Sequence, residues 1–151
     1  MSELVHLDAQ PLVNRSDRTQ QLVAFCRAHM KRGRDFGAIA GGQRPILFKP
    51  GAEKLVRLFG LATHFEMCHM VEDFTGKENG EPLFYYRYRC TLTWNGQAIA
   101  QSEGSCNSWE KKYRNRRDKF DLVNTLQKMA QKRALVSATL LATGASELFE
   151  Q

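Results

Sequence analysis

The sequence predicts an α+β domain in which an antiparallel three-stranded β-meander packs on a long C-terminal α-helix, preceded by short N-terminal helices. Three observations carry this expectation. Residues 63 to 74 alternate with a period of two, and residues 83 to 93 are dense in aromatic side chains, both signs of strands. Asn79-Gly80 and Asn95-Gly96 supply turn chemistry between and after them. Residues 118 to 144 carry the longest helical apolar stripe in the chain. With 151 residues, 42% of them hydrophobic and 25% charged, the chain reads as one domain, 1–151, large enough for a core without disulfide staples.

Taken in order, Asn14 to Asp17 reads as a loop leading into a helix that Thr19 caps and that runs to about Lys31, with Leu22, Val23, Phe25, Cys26 and Met30 at helical spacing. Gly33, Gly37, Gly41 and Gly42 make residues 33 to 44 a flexible stretch that breaks regular structure. Pro45 to Phe48 forms a brief strand or extended arm. After the boundary at Pro50-Gly51, a compact helix runs from Ala52 to Leu58. It turns Leu55, Leu58 and Phe59 inward and Lys54 and Arg57 outward, and Gly60 ends it.

The first long strand, Thr63 to Phe74, places His64 and Cys68 on one face and His69 on the other. Thr75 to Pro82 is a turn, Leu83 to Thr93 the second strand, Trp94 to Gln97 a tight turn, and Ala98 to Ser105 the third strand. Asp118 caps the last helix, whose Leu122, Val123, Leu126, Met129, Ala130, Val136, Leu140 and Leu141 mark an apolar face ending at Gly144. At about 26 residues it would span roughly 39 Å.

Twenty-two Lys and Arg against sixteen Asp and Glu give a net charge of +6, which favours a polyanionic partner. No apolar run reaches the roughly 18 residues of a membrane span, so a membrane partner is not expected. The opening MSELVHLDAQ has no signal-peptide pattern, and Cys26, Cys68, Cys90 and Cys106 are widely spaced without a CxxC pair. Reduced thiols in a soluble cytoplasmic protein follow.

Enzyme chemistry has weak support. No local motif joins a nucleophile to a base. His64, Cys68 and His69, with Cys90 and Cys106, prompt a zinc test, yet the spacing lacks the tight CxxC-type pairs of structural sites. Glu72 and Asp73 are adjacent on a strand and point to opposite faces, which disfavours a metal-dependent nuclease. The expectation is a protein without catalytic residues, metal or cofactor. A small nuclease, a Cys/His hydrolase and an RNA- or duplex-DNA-binding module stand as alternatives.

The basic residues are better organised. Lys49, Lys54 and Arg57 cluster at the short helix. Lys111, Lys112, Arg114, Arg116 and Arg117 precede the long helix, and Lys128, Lys132 and Arg133 lie on it. Lys128 and Lys132, four apart, share one side. Arg133 sits at the edge of the apolar stripe, where a cation needs an anionic partner and phosphate is one candidate; a solvated face or an internal salt bridge is the other reading. Tyr85, Tyr86, Tyr88 and Trp94 offer either stacking on bases or ordinary packing.

In this order, helix, meander and long basic helix resemble the core of the Rad fifty-two and Red-beta superfamily of single-strand annealing proteins. Phe48-Lys49-Pro50-Gly51-Ala52-Glu53-Lys54-Leu55-Val56-Arg57-Leu58-Phe59-Gly60-Leu61 resembles the family's short helix closing in a Phe-Gly pair. Ala130-Gln131-Lys132-Arg133-Ala134-Leu135 resembles its Lys-Arg-Ala signature. With Asn124 to Met129 and Ala142-Thr143-Gly144, these segments are close to the bacterial, phage and plasmid form, and the similarity covers residues 44 to 144.

The resemblance implies single-stranded DNA held in a basic groove of a ring or helical filament of identical subunits, at the nucleoid, in homologous recombination or repair. It matches Lys132 and Arg133 to the family's phosphate-contacting pair and places Lys49 near a basic residue preceding the short helix. Lys54, Arg57, Lys111, Lys112, Arg114, Arg116, Arg117 and Lys128 join the candidate DNA-binding set by charge and spacing. The loop with Arg114, Arg116 and Arg117 has no counterpart in the family. A recombinase or single-strand binding protein is a further partner that the resemblance implies, recruited in many members by a tail past the place of Phe149.

Overall fold

The computed structural model of the chain describes residues 15–38, 41–116 and 118–151. Its elements follow in the order α1 (Arg15–His29), β1 (Phe36–Gly37), β2 (Ile46–Leu47), α2 (Lys49–Leu58), β3 (Ala62–Asp73), β4 (Leu83–Trp94), β5 (Gln97–Asn107), α3 (Leu122–Thr143) and a 3-10 turn at Ala145–Glu147. The three long strands form one antiparallel sheet in the order β3-β4-β5, and α3 packs across it, as expected.

The sheet owes its two-sidedness to strict alternation in β4. Phe84, Tyr86, Tyr88, Cys90 and Leu92 are buried on the side of α3, while Tyr85, Arg87, Arg89, Thr91 and Thr93 face the other way and are half-buried. The outer face is polar and ion-paired: Arg89 lies 3.0 Å from Glu103 and 3.9 Å from Glu66, and Arg87 lies 3.4 Å from Glu103. Asn95-Gly96 turns β4 into β5 with φ of 48° and 78°, the two positive values that a two-residue type I′ hairpin requires. The β3–β4 connection is different. The Asp73 carboxylate gathers it by accepting hydrogen bonds from the backbone of Gly76, Glu78 and Asn79 and from Asn79 Nδ2, at 2.9 to 3.2 Å.

Helix α3 reaches the sheet closely because Gly104 has no side chain. A Cβ there would fall 2.4 Å from the Ala134 amide nitrogen and 2.6 Å from the Ala130 carbonyl oxygen. Ala130, Ala134 and Ala138 are fully buried along the same helix face. Around this line lie two core clusters. One joins Phe84, Tyr86, Tyr88 and Cys106 to Tyr113, Leu122 and Leu126; the other joins the C-terminal half of α3 to α2, α1 and Leu47.

Several boundaries differ from the sequence reading. Helix α1 begins at Arg15, inside the segment read as a loop, and ends at His29; Leu22 and Cys26, with Met30 just past its end, are buried at a spacing of four. Strand β1 arises inside the glycine-rich stretch expected to be irregular, pairing Phe36 with Leu47 and Gly37 with Ile46. Helix α2 starts at Lys49 rather than Ala52, since a proline in the first turn has no amide to waste. Gly60 does end it: at φ 66° its amide bonds the Arg57 carbonyl, while the Leu61 amide bonds the Val56 carbonyl. Helix α3 spans 22 residues, four fewer than expected, because Asp118 Oδ1 caps the Phe120 amide in a turn that precedes it.

Strand β3 carries a bulge at Cys68, between Met67 paired with Tyr88 and His69 paired with Arg87. The extra residue resets the alternation, so His64 and His69 share the outer face, against the expected split. Because α3 lies over β4 and β5, the inner side of β3 is left open, with Met67 and Met70 40% and 49% exposed. Phe74 and Phe120, stacked at 5.5 Å, continue this strip past the exposed Glu72. No helix among the described residues is long and apolar enough to cross a membrane.

Replacing Gly104 by Ala should destabilise the fold by about 2 kcal/mol, a fall in Tm of roughly 5 °C, by forcing α3 off the sheet. A thermal melt unchanged from that of the parent protein would contradict the close-approach account.

Candidate nucleic-acid interface

The open inner side of β3, the flank of α3 and the start of α2 enclose a groove. It holds a cavity of about 460 Å³ lined by Lys49, Lys128 and Lys132 together with Glu53, with Phe65 and Leu135 among its apolar walls. Spacing on α3 explains the grouping, because residues 128, 131, 132 and 135 fall on one flank of a helix. A second cleft of about 340 Å³ lies between β2 and α3. Lys112, Lys132 and Arg133 line it, with Phe48, Met129 and Val136. Lys132 borders both, so the cations of the two cavities form one continuous series. Arg57 lines a smaller neighbouring hollow of about 250 Å³ beside Glu53.

The candidate residues divide into those whose charge is spent inside the chain and those that present it. Arg133 belongs to the first group. Its two terminal nitrogens bond the Glu110 carboxylate at 2.8 and 3.0 Å, and one also bonds the Ser105 carbonyl at 2.6 Å. The internal carboxylate left open by the sequence is therefore Glu110, and a bidentate pair of this kind fixes the guanidinium in place. Lys54 is likewise turned inward rather than outward. Its ammonium bonds Asp35 Oδ2 at 2.7 Å and the His29 carbonyl at 2.8 Å. Burial opposes ionisation of Asp35, but Lys54 and the Lys31 amide outweigh it and hold the carboxyl below its ordinary range. Arg114 sits 3.4 Å from Glu81 and 6.0 Å from the Trp109 ring. Lys49 shares its charge with Glu53, 3.6 Å away on the next turn.

Lys132 and Lys128 belong to the second group: among the described residues neither has a carboxylate within 4.0 Å. Lys132 is half-buried, and burial, then the charges of Lys112 and Arg133, push its pKa down. Such a lysine is less stable as a cation than it would be in water, and a bound anion would relieve that. Lys111, Lys112 and Arg116 are exposed, with the Lys112 ammonium 5.4 Å from the Tyr113 ring. Arg117 lies outside the described residues.

The loop that carries these cations is pinned. Tyr113 is 1% exposed beneath it, Trp109 Nε1 donates to the Pro82 carbonyl at 3.1 Å, and Lys119 Nζ donates to the Arg114 carbonyl at 2.7 Å. Two tyrosines considered as base platforms are inside the fold: Tyr86 donates to Glu72 and Tyr88 to Gln127, both at 2.7 Å. Cys26, Cys90 and Cys106 are buried free thiols whose pKa burial raises to about 11. Among the described residues no three His, Cys, Asp or Glu converge as metal ligands. The groove wall Phe65 and the anchor Glu110 carried no signal in the sequence for these roles, and Phe48 carried none as a cleft wall.

No family model matches the chain, and neither a curated protein nor a solved structure does.

Hydrogen bonds from Arg133 hold the Glu110 carboxyl below its ordinary range, against the opposing effect of burial. Because the folded value is the lower one, the pair's contribution is complete above the ordinary glutamate value and is lost as pH falls from there through the lowered folded value. Allowing for partial exposure, Arg133→Ala should lower stability by about 2 kcal/mol at pH 7. Urea titrations should find less than half that difference at pH 3; an equal loss at both pH values would refute the pairing as its cause.

Proposed function

We propose that the chain is a single-strand annealing protein of the Rad fifty-two and Red-beta kind, acting in homologous recombination or repair at the nucleoid of the cytoplasm. The observation that carries this reading is the half-buried Lys132, which among the described residues has no carboxylate partner, at the junction of two cavities that Lys49, Lys128, Lys112 and Arg133 also line. Phosphates seated along Lys128, Lys132 and Lys112 would reduce the repulsion between two strands, and base-pairing energy would complete the reaction without bond chemistry. Arg133 then serves chiefly to hold the neighbouring turn of α3 against β5, and Lys54 to hold α2 against Asp35.

One chain offers few phosphate contacts, so useful affinity requires several copies on one strand. The exposed Met67, Met70, Phe74 and Phe120 support such an assembly, since exposed apolar side chains along one strand favour a protein partner, with Glu72 among them as a polar point of the strip. A further protein partner, a recombinase or single-strand binding protein, fits the same reading.

Replacing both Lys128 and Lys132 by Ala should weaken binding to single-stranded DNA and flatten the slope of log affinity against log salt by about 1.4, the share of two phosphate contacts. Competition among single-stranded DNA, duplex and RNA checks the substrate: equal affinity for all three, or an unchanged slope in the folded double variant, would overturn the assignment. For the assembly, Met70→Lys with Phe120→Asp should shift the protein to smaller species in mass photometry. Identical mass distributions would remove the strip from the interface.

A further inference from the structure

We propose that the cleft between β2 and α3 is a nucleobase site, in which one unpaired base of the bound strand enters while its phosphate rests between Lys112 and Lys132. The inference rests on the single-strand reading above and adds where a base goes.

The cleft combines two chemistries that a bare anion or an aliphatic chain would use only in part. Its interior is apolar, with Phe48, Met129 and Val136, and its cations Lys112, Lys132 and Arg133 converge on it. Among the described residues Glu110 is the carboxylate that answers any of these three charges, and it is engaged by Arg133. A flat apolar group joined to a phosphate satisfies both parts, which is the make-up of a nucleotide.

The walls are formed before any ligand arrives. β2 is held on one side by β1 and on the other by the C-terminal segment, where the Leu47 amide donates to the Glu150 carbonyl and the Glu150 amide to the Pro45 carbonyl. The Phe48 ring is seated over Gly37, where an added Cβ would lie 2.5 Å from the tip of the ring. Gln151, whose Nε2 donates to the Arg133 carbonyl at 2.8 Å, also lines the cleft.

Continuity selects a base of the same strand over a separate small molecule. Lys132 borders the cleft and the β3–α3 groove alike, so a backbone following Lys128 and Lys132 arrives at Lys112 without leaving the row of cations. A duplex keeps its bases stacked within and cannot supply one. The site therefore favours single-stranded over double-stranded nucleic acid by a term independent of charge.

The test compares an oligothymidylate with an abasic oligonucleotide of equal length, by fluorescence anisotropy across a salt series. The native protein should bind the oligothymidylate about tenfold more tightly. Met129→Ala should reduce that ratio to about twofold with the salt slope unchanged, since stacking surface is lost and phosphate contacts are kept. Met129→Leu, which keeps the apolar volume, should retain the full ratio and so controls for folding. Equal affinity of the native protein for both oligonucleotides at a steep salt slope would overturn the base site and leave the phosphate groove standing. A ratio that survives Met129→Ala would overturn it too, and binding to neither oligonucleotide would remove the groove reading along with it.

Discussion

The close seat of α3 on β5 at Gly104 governs the rest of the molecule. With backbone meeting backbone there and Ala130, Ala134 and Ala138 lying flat along the contact, the helix settles over β4 and β5 and stops short of β3. The uncovered inner side of β3 becomes one wall of a groove. The same placement sets Arg133 above Ser105 and Glu110 and leaves Lys132, one residue away, on the crest between two cavities. A larger side chain at position 104 would disturb packing and groove together, because a close-packed interior transmits such a change rather than absorbing it.

The charge excess is therefore sorted by position. Arg87 and Arg89 are matched by Glu66 and Glu103 on the outer face, Lys54 by Asp35, Arg133 by Glu110, and Lys119 by backbone carbonyls. Among the described residues, the cations left without a carboxylate within 4.0 Å include Lys111, Lys112, Arg116, Lys128 and Lys132 on α3 and the loop before it, and Arg27, Lys31, Arg32, Arg57 and Lys77 elsewhere on the surface. A charge count alone could not separate these groups, since pairing depends on which carboxylates the fold brings near. Arg133 makes the point: its carboxylate lies 23 residues away in sequence and across the sheet edge in space.

The features legible in the sequence are those set by local periodicity and turn chemistry. The meander, the Asn95-Gly96 hairpin, the glycine stop at Gly60 and the stripe of α3 all follow from neighbours within a few residues. That Lys128 and Lys132 share one flank of α3 was legible for the same reason, since they are one helical turn apart. The strand pair Phe36–Gly37 with Ile46–Leu47 was not, because two residues show no period and their pairing is enforced by the chain end docking beside β2. Lys54 was read as solvent-facing because helical spacing gives a direction but cannot reveal a buried aspartate waiting there.

The bulge at Cys68 has a consequence for how β3 behaves as a sheet border. A straight border of 12 residues would be a template for another strand to zip onto, with growth that never closes. The interruption between Met67 and His69 breaks the regular spacing of free amides and carbonyls near the middle, and Glu66 and Glu72 flank it with negative charge. Runaway cross-β stacking along this border is thereby discouraged.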